Sequence, residues 1–175
     1  MTKMMIVVDM VRGFLEEKTE DGPCALYLKG AKSIIPNIRK EIDALGPEDI
    51  LIFVSDSHSP KDPELKKWPR HCMKGTEEVL DDLLPRVNRK VWWFPKNTFN
   101  AFFNTGLIRF VKNTKPDELI IVGLCTDICV FATALDACYR GYKVTIPRDC
   151  VFPLYPERGE YLLKYLVDMF GITVR

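Results

Sequence analysis

Apolar residues gather along this chain into short unbroken runs. The runs are MMIVVDM (4–10), ILIFVS (50–55), VWWF (91–94), LIIVG (119–123), KVTIP (143–147) and ITVR (172–175). Continuous runs of this length, rich in β-branched and aromatic residues, mark strands that are covered on both faces. Between them, apolar positions recur at helical spacing over 30–45, 76–84, 105–114, 127–140 and 157–170, and three of these segments end at Gly46, Gly141 and Gly171. Strand then helix, repeated, predicts a three-layer α/β/α sandwich around a mostly parallel six-stranded sheet. No internal repeat, low-complexity tract or linker interrupts the pattern, so residues 1–175 are expected to form one domain. The segment LEEKTEDGPCALYLKG (15–30) is charged and punctuated by Gly and Pro, and is expected to be a flap-like loop.

Polar residues stand where the apolar runs stop. Asp9 closes the first, Asp56 follows the second, Lys96 the third, Asp127 and Cys129 the fourth, and Asp149 the fifth. A lone Asp after a strand reads as a turn former or helix cap. Ligands of open parallel sheets bind beyond the carboxyl ends of the strands, so together these residues are expected to face one crevice.

Composition narrows the classes. Hydrophobic residues make up 47% and charged residues 28% of the 175, and no stretch reaches the roughly 18 uninterrupted apolar residues of a membrane helix. The net charge is +1, with both signs interspersed. Neither nucleic acid nor membrane is therefore an expected partner. The N-terminal MTKMMIVVDMVRGF lacks a small-residue cleavage site and reads as a strand rather than a signal peptide. Six cysteines without a secretion signal point to a reduced, cytoplasmic setting, in which each is either a buried small residue or a chemical group.

Cys129 has the most suggestive surroundings. Thr126 or Asp127 can cap a helix whose apolar positions are 128, 131, 132, 135 and 138, which places Cys129 in the first turn. Exposed N–H groups and the positive end of the helix dipole there favour a thiolate over the usual thiol of pKa about 8.5. Cys24, Cys138 and Cys150 read as core, and local sequence leaves Cys129 open between filler and nucleophile. CTDIC (125–129) has no second cysteine pair to complete a thiolate metal site. Asp9 can accept the Cys129 proton and Lys96 can hold Asp9 ionised, a triad without imidazole. Both histidines of the chain meanwhile lie in one stretch, SDSHSPKDPELKKWPRHC (55–72).

Five motifs carry a resemblance: IVVDMVRGF (6–14), DSH (56–58), WPRHCMKGT (68–76), KNTFNAF (96–102) and VGLCTDICV (122–130). In this order they resemble the nicotinamidase/pyrazinamidase branch of the isochorismatase-like cysteine hydrolases, through to about Asp149. The resemblance implies Asp9, Lys96 and Cys129 as the catalytic triad. It implies a cis peptide between Leu124 and Cys125 that turns the Cys125 N–H beside that of Cys129 as an oxyanion hole. It also implies Asp56, His58 and His71 as ligands of a divalent ion, zinc first with iron or manganese as alternatives. Glu64 stands where some members have a further ligand, with Asp62 as competitor. Phe14 and Trp68 would flank a pyridine ring, unless they are plain core. The implied reaction is hydrolysis of nicotinamide to nicotinate and ammonia through a Cys129 thioester.

The chain departs from the family in three places. The 15–30 loop lacks the glycine-rich GGSL-type sequence, Cys125 replaces a smaller residue, and Asn100 replaces a frequent serine. Three rival readings remain open: catalysis by the ion with Cys129 a bystander, a related C–N hydrolase acting on an N-carbamoyl compound, and a non-catalytic binding protein of this fold. The oligomeric state, including a homo-oligomer, is also open.

Overall fold

A computed structural model of the chain describes residues 1–175 apart from Asp21, Glu77 and Val87. The strands are β1 (Lys3–Val8), β2 (Lys18–Thr19), β3 (Gly22–Pro23), β4 (Ile50–Asp56), β5 (Val91–Lys96), β6 (Glu118–Leu124), β7 (Val144–Ile146), β8 (Val151–Phe152) and β9 (Thr173–Val174). Seven form the main sheet in the order β5-β4-β1-β6-β7-β9, with β8 pairing beside the end of β6. Every pairing in that sheet is parallel. The six-stranded expectation is thus one strand short: β8 is two residues long and is followed at once by Pro153, so it reads as a turn after β7.

Strand alternation divides the apolar runs between two cores. Met4, Ile6 and Val8 of β1 join Ile52, Val54, Leu119 and Ile121 on one face. Helices α3 (Leu107–Thr114), α4 (Phe131–Tyr139) and α5 (Pro156–Phe170) cover that face through Leu107, Val111, Ala134, Ala137, Leu163 and Leu166. Met5 and Val7 join Leu51, Phe53, Ile120 and Val122 on the other, beneath Leu15 of α1 (Arg12–Leu15) and Ile38 and Ile42 of α2 (Ile35–Asp43). Strands buried on both faces need continuous apolar runs, which is why the sequence shows runs rather than alternation. No helix among the described residues is long and apolar enough to cross a membrane.

Two expected helices differ. In the 76–84 segment Glu77 lies outside the described residues, and among the described ones the helical piece is a single 3-10 turn, Asp81–Leu83. The backbone before it is used elsewhere: Val79 bridges Val11, and the Glu78 carbonyl accepts the Arg12 N–H at 2.8 Å. Leu80 and Leu83 still reach the core, three residues apart, so one turn satisfies the apolar spacing that suggested a longer helix. The 127–140 helix opens instead as a π-turn, Thr126–Val130, before α4 begins. Neither Thr126 nor Asp127 caps it through a side chain, and Cys125 is the N-cap residue. The 30–45 segment likewise starts with a 3-10 turn, Ala31–Ile34, ahead of α2.

Register sets what meets at the carboxyl end of the sheet. Val8 is opposite Val54 on one side and Gly123 on the other, and Asp56 is opposite Lys96. The exits of β1, β4, β5 and β6 therefore lie side by side. Gly123 is required at the β1–β6 contact, because its φ is +112° and an added Cβ would lie 2.1 Å from the Val8 carbonyl oxygen.

Candidate active site

Asp9 is the first residue past β1. Its φ of +55° bends the chain out of the sheet while its N–H still bonds the Val54 carbonyl at 2.8 Å. Buried to 1% exposure, it accepts the Asp56 N–H at Oδ1 (2.9 Å) and faces Lys96 Nζ with Oδ2 (2.7 Å). Lys96, the last residue of β5, has no solvent-exposed side-chain surface. Its ammonium also pairs with Asp56 Oδ1 and lies 3.6 Å from Cys129 Sγ. The structure thus brings Asp9, Lys96 and Cys129 together and adds Asp56 as a second carboxylate on the same lysine.

The charges in this group set one another's protonation. Burial works against the Lys96 ammonium, but Asp56 and Asp9 outweigh it and hold Lys96 charged well above its usual range. Burial, with Asp56 beside it, raises Asp9 to about 6 despite the opposing pull of Lys96. Asp56 goes the other way: burial would raise it, yet Lys96, His58 and His71 together hold it below the ordinary carboxylate range. Cys129 contradicts the sequence-based expectation of a lowered pKa, since its burial raises the thiol well above its usual value and Lys96 only partly offsets this. Burial thus favours the thiol form of Cys129 in a group that also holds a carboxylate with a raised pKa.

The two histidines are held together by backbone pairing. His58 forms a parallel bridge with Met73: its N–H donates to the Cys72 carbonyl and its carbonyl accepts the Lys74 N–H, both at 2.9 Å. The segment after β4 is thereby zipped to the segment that carries His71. Asp56, His58 and His71 are all buried, with candidate ligand atoms within 4.8 Å of one another. Both imidazole Nε2 atoms face Asp56 Oδ2, at 3.6 and 3.7 Å. His71 donates from Nδ1 to the Pro69 carbonyl at 2.7 Å, which leaves its Nε2 as the free lone pair. His58 Nε2 is buried without a hydrogen-bond partner among the described residues. An unpaired buried nitrogen beside a second imidazole and a carboxylate fits a divalent cation that takes N and O donors.

The Glu64 and Asp62 alternatives separate by side. Glu64 Oε2 is 3.6 Å from His58 Nε2, on the cluster side, whereas Asp62 Oδ2 is 3.3 Å from His58 Nδ1, on the far side of the ring. Burial and the neighbouring Asp56 push Glu64 up to about 7.

A cavity of about 180 Å³ opens onto both groups, lined by Cys129, Cys125, Asp56 and His71 together with Phe14, Trp68, Phe99, Ile128 and Leu154. Phe14 and Trp68 both line this cavity, and the Leu124–Cys125 peptide is cis. The 15–30 loop, with its β2–β3 hairpin, returns Ala25, Leu26, Tyr27 and Leu28 to the cavity, tied by the Leu28 N–H to the Phe14 carbonyl at 2.9 Å. Sequence reasoning missed Phe99, Ile128 and Leu154. Phe99 and Ile128 lie inside motifs already singled out, while nothing around Leu154 marks it. Asp127 and Asp149 do not join the crevice. Asp127 instead accepts the N–H groups of Leu154 (2.8 Å) and Tyr155 (3.3 Å) and pairs with Arg158 Nε (2.8 Å), and Asp149 is exposed, its carbonyl accepting from Asn37.

A family model described as the isochorismatase domain matches residues 3–175. The chain belongs to the isochorismatase family. Among solved structures, this isochorismatase-family chain is similar to the nicotinamidase/pyrazinamidase PncA of Bacillus subtilis, with TM-score 0.87 and 31% identity over 99% of each chain. It is similar to the N-carbamoylsarcosine amidase of Thermoplasma acidophilum, with TM-score 0.83 and 31% identity over 100% of this chain and 96% of that one. It also resembles the pyrazinamidase of Pyrococcus horikoshii in complex with zinc, with TM-score 0.83 and 26% identity over 99% and 98% of the two chains. The fold and family support a hydrolase of small amides.

Proposed function

We propose that this isochorismatase-family hydrolase converts nicotinamide to nicotinate and ammonia through a thioester on Cys129. The observation that carries the reading is one apolar, aromatic cavity lined by Cys129, Asp56 and His71, where the Cys129 sulfur lies 3.6 Å from Lys96, which is itself paired with Asp9. Asp9 takes the Cys129 proton as the sulfur attacks the carboxamide carbon, and Lys96 holds the charge that passes between them. The N–H groups of Cys125 and Cys129 hold the oxyanion. The C–N bond then breaks, with the Asp9 proton going to the departing ammonia. Asp9 next takes a proton from water as the hydroxide adds to the thioester carbon; the C–S bond then breaks, the sulfur regains the proton held by Asp9, and the acid leaves as nicotinate with its proton lost to solvent. Asp56, His58 and His71, with Glu64 beside them, would hold a divalent ion, zinc first with iron or manganese as alternatives, which supplies a Lewis acid for the ring nitrogen. Phe14 and Trp68 flank the ring.

The Thermoplasma neighbour favours a second reading, an N-carbamoyl substrate. Such substrates carry a carboxylate, which needs a cation in the pocket. No lysine or arginine lines the cavity among the described residues, and Lys96 is already paired with Asp9 and Asp56. A neutral, flat heteroaromatic amide suits these walls better. An ammonia assay on nicotinamide, pyrazinamide and N-carbamoylsarcosine tests the choice: the two ring amides are expected to be turned over and the anionic compound to be inert. Preference for N-carbamoylsarcosine would overturn the substrate assignment. Cys129→Ala is expected to lower turnover at least about 1,000-fold while still binding nicotinamide. Ammonia release at the normal rate by that variant would remove the covalent route.

A further inference from the structure

Asp62 makes three contacts on the side of His58 away from the ion-binding cluster. Its Oδ2 lies 3.3 Å from His58 Nδ1 and accepts the Ser59 N–H at 2.7 Å. Its Oδ1 accepts from Asn97 Nδ2 at 3.2 Å, and Asn97 directly follows Lys96. An ionised carboxylate can only accept, so this contact requires a proton on His58 Nδ1, which in the neutral ring leaves the lone pair on Nε2. That Nε2 is the buried, unpartnered atom that faces Asp56 Oδ2 and Glu64 Oε2. His71 reaches the same tautomer through the Pro69 carbonyl. The two rings are thus set by different means, one by a side chain and one by the backbone.

We infer that Asp62 is a positioning residue and not a ligand: it holds His58 as the Nδ1–H tautomer, aiming Nε2 into the Asp56, His58 and His71 cluster. Asn97 orients Asp62 and so links the ion site to the end of the strand that carries Lys96. Carboxylates that accept from the outer nitrogen of a ligating imidazole fix its orientation and raise its basicity, and their loss costs about 10–100-fold in metal affinity. The inference rests on reading the cluster as an ion site, but not on the substrate or on the cysteine route.

The chain has two histidines, so nitrogen-15 NMR of the imidazoles reads both tautomers directly. In metal-free protein at alkaline pH both rings are expected as Nδ1–H. Asp62→Ala is expected to move His58 toward Nε2–H, to leave His71 unchanged and to weaken zinc about 10–100-fold in competition with a chelator. Asp62→Asn keeps an amide oxygen that accepts from Nδ1 and Ser59, so it should hold the tautomer and lose less affinity than the alanine variant. Should the alanine variant not fold, the wild-type tautomer and Asp62→Asn decide. An Nε2–H His58 in the wild type overturns the inference, as does unchanged zinc affinity in Asp62→Ala. A fall in affinity with the tautomer unchanged would make Asp62 a ligand and overturn it too. Absence of zinc binding by the wild type would remove the ion site itself, while the tautomer still reports on Asp62 separately.

Discussion

Asp9 is pulled in opposite directions by its neighbours. Burial and Asp56 raise its pKa to about 6, against the pull of Lys96. As the proposed proton acceptor Asp9 must be ionised, so kcat/KM is expected to rise about tenfold per pH unit below 6 and to level off above it. A pH–rate profile for nicotinamide checks this, and a limb that stays flat down to pH 4 would contradict Asp9 as the base. The same shift bears on stability with the opposite sense. Folded Asp9 holds its proton more tightly than the unfolded chain does, so its contribution is largest at acid pH and is lost as pH rises through about 6. Cys129 shows where single-residue reasoning stops: the position in a first turn is legible, but the depth of burial that raises the thiol is set by Lys96, Asp9 and the apolar core, all remote in sequence.

At the level of elements, the π-turn Thr126–Val130 ties Cys129, the proposed nucleophile, to the cavity wall. Asp127, two residues before Cys129, is buried and spends its oxygens on Leu154, Tyr155 and Arg158 at the start of α5. Leu154 lines the cavity, so Asp127 fixes that part of its wall from behind. Asp127→Ala is expected to cost about 1–3 kcal/mol in urea denaturation by stranding these donors, and to raise KM for nicotinamide more than it lowers kcat. An unaltered KM would separate this clamp from the site. Asp127 had the look of a helix cap because Thr and Asp before an apolar periodic run usually are caps. Its real partners lie 27 to 31 residues on, beyond the reach of local pattern. The shorter helical turn at Asp81–Leu83 has the same cause, since the 78–79 backbone pairs with Val11 and Arg12.

Across the whole molecule, the parallel sheet and its helical layers were legible because strands buried on both faces leave unbroken apolar runs. Asp9, Asp56, Lys96 and Cys129 stand at strand exits, a rule of position that sequence alone can apply. Their registration is a property of the assembled sheet: Asp56 lies opposite Lys96, and Gly123 lets β6 close against β1. Leu154 and the returning 25–28 loop were not legible, because which loop folds back over a cavity depends on contacts rather than on composition. The most direct test of the account is rapid acid quench during nicotinamide turnover, followed by mass spectrometry of the Cys129 peptide. A nicotinoyl group that appears on Cys129 and decays as nicotinate forms is the expected result. Nicotinate accumulating while that peptide stays unmodified at every quench time would contradict it.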